Sequence, residues 1–273
     1  MRILLLANPD SGGGTNTRSI GAALTGHGAT VVDDEAAAER VVVCGGDGTV
    51  GLGAELATRL EVPLGVIPAG TANDFARALH LPKALDAAVR LAATGTRTRR
   101  LELGRLDEQP FVNVASIGLA PAAARRAAPL KRVLGPLAYP AGALIAGLLE
   151  QPVECSVTAG GREVFHGRAW QVIVACTGAF GGGAEIDAAD PSDGRLDLLV
   201  VPDTRRLGLA RHALAMRRGT LAEAPGVVHA RDDALTLQVP SPTAFNVDGE
   251  VVKASATVQV GIDARSFALV TGR

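Results

Sequence analysis

Apolar positions along the first hundred residues alternate between two periods. Arg2–Ala7, Ala29–Val32, Arg40–Cys44 and Leu64–Ile67 are short apolar runs, the pattern of strands buried on both faces. Between them, Thr17–Leu24, Val50–Leu60, Asn73–Leu79 and Ala84–Ala93 carry apolar residues at helical spacing. Strands alternating with helices predict an α/β domain over residues 1–104, built on a parallel sheet covered on both faces.

Past residue 100 the pattern is mostly strand-like. Arg100–Leu106, Phe111–Ser116, Val153–Ala159, Arg168–Cys176, Leu196–Val201, Leu235–Val239 and Thr257–Val260 read as strands. A helical pair is expected within Pro121–Leu149, and a helix over Leu207–Arg217. This predicts an antiparallel β-sandwich as a second domain over 105–261. The last run, Phe267–Val270, lies in a tail of about 262–273 that is able to return to the first domain.

Composition adds little to fold and more to function. Hydrophobic residues at 47% and charged residues at 20% belong to a folded chain, and 33 glycines point to tight turns or close backbone approach. A net charge of −1 gives no overall attraction for nucleic acid, so any pull toward an anionic surface is local. Basic residues cluster at Arg97, Arg99 and Arg100, at Arg125, Arg126, Lys131 and Arg132, and from Arg205 to Arg218. The second cluster adjoins the apolar stretch Leu130–Leu149, a place for peripheral contact with an anionic membrane. Cys44, Cys155 and Cys176 read as buried thiols of a reducing, cytoplasmic compartment. The apolar run at the N-terminus is cut at Asn8-Pro9, too soon for a secretory signal, and Leu134–Leu149 is too short to span a bilayer.

Two turns carry the chemistry. VVVCGGDGTV, residues 41–50, runs a strand into Gly45, Gly46, Asp47, Gly48 and Thr49 and then into a helix. Glycines there let backbone N–H groups approach an anion, and the helix N-terminus adds partial positive charge. It is neither a Walker A sequence nor a spaced dinucleotide fingerprint. VIPAGTANDFARAL, residues 66–79, ends a second strand at Gly70 and Thr71, with Asn73 and Asp74 opening a helix, where they also read as plain caps. Two such turns on neighbouring parallel strands open at one sheet edge, where ligands of open α/β sheets bind. NVDGE, residues 246–250, reads by itself as a hairpin turn, and ADPSDGRLD, residues 189–197, as an acidic loop with Asp190 and Asp193 at cation-loop spacing.

NPDSG at 8–12, GGDGT at 45–49, PAGTANDFAR at 68–77, FGGG at 180–183, DPSDGRLDLLV at 190–200 and NVDGE at 246–250 occur in one order over almost the whole chain. In this the sequence resembles the diacylglycerol kinase-like lipid kinases, which include sphingosine and ceramide kinases and are related to NAD kinases. The resemblance implies an NAD kinase-like α/β domain plus a β-sandwich that holds the lipid, with ATP in the cleft between them. It implies that Asn8, Gly45–Thr49, Gly70, Thr71 and Asn73 contact the nucleotide, with Asp47 and Asp74 in the network around Mg2+ and the phosphates. Glu250 would be the general base toward the lipid hydroxyl and Asp248 its partner. A structural Mg2+ would be held by Asp190, Asp193 and the carbonyl of Arg195.

The sequence departs from the family at Gly51 and Leu52, where an Asn-Glu pair is usual, with Glu55 one turn on as a substitute. The segment between Asn8 and Gly45 is also shorter, and Thr177-Gly178 stands where Asn-Gly is often found. A nucleotide-binding regulatory protein of the same fold, or a kinase for NAD or another hydroxylated metabolite, therefore stands as an alternative. Oligomeric state is left open, a homodimer included.

Overall fold

The computed structural model describes residues 1–7, 16–127, 129, 138–181, 184, 186 and 188–272. Four parallel strands build the first domain: β1 (Arg2–Ala7), β2 (Thr30–Val32), β3 (Arg40–Gly45) and β4 (Leu64–Pro68), in the order β2-β1-β3-β4. Helices α1 (Thr17–Gly26), α2 (Asp47–Arg59), α3 (Asp74–Ala78) and α4 (Leu85–Thr94) connect and cover them. Ile20 and Leu24 of α1 join Ala88 and Val89 of α4 on one face, over Ile3, Val42 and Ile67. On the other face Val50 and Ala54 of α2 and Phe75 of α3 lie over Val41, Val43 and Leu64. Both faces of β3 are therefore covered, and all six of its residues are buried. Arg40 is buried at the start of β3, where its guanidinium donates to the Ala92 and Gly95 carbonyls at 2.6 Å, a cation closing the negative end of α4.

The second domain contains β5 (Arg97–Leu106), β6 (Gln109–Phe111), β7 (Val114–Gly118), β8 (Val153–Ala159), β9 (Arg162–Ala175), β10 (Leu196–Pro202), β11 (Val228–Asp232), β12 (Ala234–Gln238), β13 (Thr243–Val247), β14 (Glu250–Ala254) and β15 (Thr257–Thr271). Its strand pairs are antiparallel. Alternate residues such as Cys155, Val157 and Ala159, Leu196, Leu198 and Val200, or Phe245 and Val247 point into one shared core, the period-2 signature of a sandwich. Strand β9 links the layers, pairing with β8 over Arg162–Ala169 and lying between β7 and β10 near its end.

Among the described residues three α-helices belong to this domain: α5 (Leu119–Ala127), α6 (Ala138–Leu149) and α7 (Arg206–Arg217). The first two pack on each other, and α7 lies on the outer face of the β7-β9-β10 layer with Leu209, Ala215 and Met216 over Trp170, Ile173 and Leu199. Among the described residues, no helix is long and apolar enough to cross a membrane.

β15 belongs to both domains. Its first part pairs with β12, while Leu269 pairs in parallel with Leu64 of β4. Along nearly its whole length it also pairs with β5, with a register shift between Asp263 and Phe267. The run Phe267–Val270 read from the sequence is thus the end of a 15-residue strand.

Candidate active site

Because β3 and β4 are parallel neighbours, the turns that follow them leave the sheet at the same edge. They touch through their backbones: a Cβ added at Gly70 would lie 2.5 Å from Gly46 Cα. No other residue type allows that approach without moving main chain. Asn73 sits in the left-handed region at φ 49° and closes its own turn, accepting from Gly70 N–H and donating to Gly70 C=O, both at 2.8 Å. The Asp47 carboxylate then ties the turns together, accepting from the N–H groups of Asp74 (3.1 Å) and Phe75 (2.8 Å) at the start of α3. Asp74 is buried and ion-paired with Arg77.

The second domain reaches this edge through the hairpin β13–β14. Its two turn residues, Asp248 (φ 47°) and Gly249 (φ 94°), both have positive φ, as a tight two-residue hairpin turn requires. The Asp248 carboxylate accepts from three consecutive backbone N–H groups between β6 and β7, those of Val112 (2.7 Å), Asn113 (3.0 Å) and Val114 (2.9 Å). Enclosure pushes its pKa up to about 7, an effect that the three N–H groups oppose and the nearby Asp47 charge adds to. Glu250, the first residue of β14, lies over the first turn of α2: a Cβ at Gly48 would stand 2.5 Å from its Oε1. Among the described residues the Glu250 carboxylate has no hydrogen-bond or ion-pair partner, and the residue is exposed.

Asn113 links the domains. Buried between β6 and β7, it donates from Nδ2 to Asp47 (3.1 Å) and accepts from the Thr177 hydroxyl (2.6 Å). Sequence reading passed over it, although a lone Asn inside the apolar run FVNVASIG is a polar group that burial forces into a hydrogen-bonded role. Two hollows flank the turns. One, of about 590 Å³, is lined by Leu6, Thr49, Leu52, Glu55, Leu56 and Arg105 among others. The other, of about 230 Å³, is lined by Pro68, Thr71, Asn73, Arg77 and Lys83 among others.

Comparison with known proteins agrees with this arrangement. Residues 21–106 match the diacylglycerol kinase catalytic domain, and residues 113–270 match the YegS C-terminal NAD kinase beta sandwich-like domain. A diacylglycerol kinase of Staphylococcus epidermidis is 30% identical over 220 residues, covering 77% of this chain and 67% of the relative. One from Staphylococcus aureus is 29% identical over 218 residues, with the same coverage. The chain belongs to the diacylglycerol kinase-like family. A crystal structure of a Bacillus anthracis diacylglycerol kinase superposes with a TM-score of 0.78 at 20% identity, covering 99% of this chain and 97% of that one. An Archaeoglobus fulgidus NAD kinase in complex with ATP superposes at 0.54 and 14% identity, covering 100% and 94%. Both likenesses establish the fold: a parallel α/β domain followed by an antiparallel sandwich.

Of the residues the diacylglycerol kinase-like pattern marks, the edge gathers Gly45–Thr49, Gly70–Asp74, Asp248 and Glu250. Asn8 lies outside the described residues, as do Gly182 and Gly183 of the FGGG run. The acidic loop does not join the edge. Asp190 accepts from the N–H and hydroxyl of Ser192 and from Arg99, while Asp193 accepts from Arg195 N–H and pairs with Arg231. Both carboxylates are thus already matched by guanidinium groups. Among the described residues no group of three or more His, Cys, Asp or Glu side chains converges to hold a metal. At the family's Asn-Glu position, a Cβ at Gly51 already meets the Pro110 carbonyl oxygen at 3.3 Å, so a longer side chain presses on β6. Leu52 is half exposed on the larger hollow, and Glu55 is engaged by Arg105 at 2.8 Å, with Arg105 also bonded to Asp263.

Proposed function

We propose that this chain is an ATP-dependent lipid kinase that phosphorylates the hydroxyl of a diacylglycerol or a related lipid. The observation that carries this reading is the position of Glu250, an unpaired carboxylate of one domain held over the glycine turn of the other. Phosphoryl transfer needs an anion-binding cradle, an acceptor in line with it and a base for the acceptor's proton. The glycine turns fit the cradle, since Gly46 and Gly70 leave backbone where a Cβ would stand. Gly45–Thr49 and Gly70–Thr71 would hold the phosphates. Glu250 takes the proton as the lipid oxygen bonds to the γ-phosphorus and the bridging bond to ADP breaks.

Asp47, Asp74, Asn113 and Asp248 act here as positioning residues. The oxygens of Asp47 and Asp248 are engaged by N–H groups, and those bonds fix the turns and the hairpin that carries Glu250. One Mg2+ enters as part of the MgATP substrate and screens its phosphates, and a structural Mg2+ held by Asp190, Asp193 and the Arg195 carbonyl belongs to the same reading. The likeness of this chain to the staphylococcal diacylglycerol kinases supports a diacylglycerol acceptor.

Leu52, together with a Glu55 already committed to Arg105, favours a second reading: a nucleotide-binding protein of this fold without transfer. Incubation with radiolabelled ATP and a panel of lipid alcohols, with NAD included, separates the readings. Transfer to a lipid that Glu250→Gln abolishes supports the kinase. ATP binding with no transfer to any acceptor overturns it in favour of the binder, and transfer to NAD alone makes it an NAD kinase.

A further inference from the structure

The larger of the two hollows begins at the glycine turn. Thr49, the last residue of GGDGT, lines it, and from there it follows α2 past Leu52, Leu56 and Arg59, residues that share one side of the helix. Leu6 at the end of β1 and Arg105 of β5 wall it. Its volume of about 590 Å³ falls in the ~300–1,000 Å³ range of small-molecule sites. A ligand gripped by its phosphates at the turn therefore has room along α2 for its other end.

Beyond Thr49, the polar side chains described around this hollow are already matched within the protein. The Thr58 hydroxyl donates to the Ala54 carbonyl at 2.8 Å, and Arg59 pairs with Glu35 at 2.9 Å. Glu55 pairs with Arg105 at 2.8 Å, and Arg105 also donates to Asp263 at 2.8 Å. What is left open is aliphatic. Leu6 and Leu56 are partly buried, and Leu52 is 51% exposed. Adenine and guanine differ at their edges, where one carries an amino group and the other a carbonyl. Telling them apart takes a donor or acceptor aimed at that edge, whereas an aliphatic wall meets the ring face of either.

We infer that this hollow takes the base of the nucleotide against Leu6, Leu52 and Leu56 without reading its edge, so that the protein accepts ATP and GTP nearly alike. Leu52 is the residue that sets this, because it is the most exposed of the three and a polar side chain at its position would face the base. The occupant is a base rather than an acyl chain. The aliphatic patch is bounded by the Glu55–Arg105 and Arg59–Glu35 pairs, which leave no apolar channel for an extended chain to follow. This deepens the lipid-kinase reading and rests on its placement of the phosphates at the glycine turns, while nucleotide binding is measurable without any lipid.

The test is calorimetric titration of the full chain with MgATP and with MgGTP, followed by transfer from each to a short-chain diacylglycerol. Dissociation constants within about 10-fold of each other are expected, where a site that hydrogen-bonds the base would separate them by roughly 10⁴-fold. Leu52→Ala should weaken both nucleotides together, by about 4- to 15-fold, the weight of one or two buried methylenes. Glu55→Gln should leave the ratio of ATP to GTP affinity as it is, since that carboxylate does not read the base. A preference above about 100-fold for either purine overturns the inference, as does a ratio that shifts in Glu55→Gln. So do nucleotide affinities untouched by Leu52→Ala, or an effect of that substitution on the KM of the lipid alone. Unchanged thermal unfolding confirms that each variant folds, since both side chains are partly exposed on α2. Transfer from ATP with GTP rejected sinks the inference and spares the kinase. Both purines bound alike with no transfer from either sinks the kinase and spares the inference, and binding of neither overturns both.

Discussion

Substituting Gly48 by alanine separates stability from transfer. The new Cβ would stand 2.5 Å from Glu250 Oε1, 3.0 Å from Cδ and 3.3 Å from Cγ. Non-bonded heavy atoms settle at about 3.5–4.0 Å, so the carboxylate has to retreat by roughly 1 Å. Glu250 is exposed and unpaired, so it rotates away at little energetic cost to the fold. Meanwhile Gly48 lies in the first turn of α2, where alanine is the better helix former by up to about 1 kcal/mol. Unfolding temperature should therefore hold or rise slightly. Transfer should fall about 100-fold or more, which is the cost of displacing a reacting group by ~1 Å and the lower end of what a general base contributes. In activation free energy that is about 2.7 kcal/mol. Radiolabelled ATP with a short-chain diacylglycerol at saturation gives kcat for wild type, Gly48→Ala, Glu250→Gln and the double variant. Since both substitutions remove one function, the double variant should be no slower than Glu250→Gln alone. A Gly48→Ala protein with wild-type kcat, or a double variant showing the product of the two losses, refutes the placement of Glu250 as base.

Gly70→Ala should behave oppositely, because its Cβ meets the Gly46 main chain at 2.5 Å: about 1–3 kcal/mol of stability is lost, seen by denaturant titration, and ATP affinity falls with it in calorimetry. Asn113→Ala strands the Thr177 hydroxyl and removes a partner of Asp47, so a loss of about 1–3 kcal/mol and a Tm several degrees lower are expected in a thermal scan. The pKa of Asp248, raised from 3.8 to about 7, means that the folded state holds its proton more tightly than the unfolded chain does. Its contribution is full below about pH 4 and is lost as pH rises through 7. The stability advantage of wild type over Asp248→Asn should accordingly shrink between pH 5 and pH 8 in parallel thermal scans, and a constant or growing difference contradicts the assignment.

The order of strands and helices in the first domain was legible because β1, β3 and β4 are buried on both faces and leave unbroken apolar runs. The sandwich core was legible from alternation in β8 and β12 and from the apolar run of β10, which is buried on both faces. Strand β11 escaped notice, and β13 and β14 were legible only as the unbounded arms of the NVDGE hairpin, because all three are short and partly exposed and their apolar alternation is weak. Phe111–Ser116 read as one strand, whereas the structure breaks it at Val112 and Asn113, whose N–H groups bind Asp248 rather than a neighbouring strand. That break depends on a residue 135 positions away in sequence, beyond the reach of any local pattern. At the site, the glycine turns could be read from residue type and spacing. The direction of each carboxylate could not: Asp47 and Asp248 are held by main-chain donors supplied from other elements, and Glu250 is left open by default.

One strand pair has a mechanical consequence. Because β5 and β15 run side by side from the sandwich into the parallel sheet, the lobes are joined by a ribbon stiffened by its own ladder rather than by a slack tether. Widening the gap between Glu250 and the glycine turns means flexing that ribbon. Its weakest stretch is the register slip between Asp263 and Phe267, where amide hydrogens should exchange with solvent sooner than in the ladder on either side.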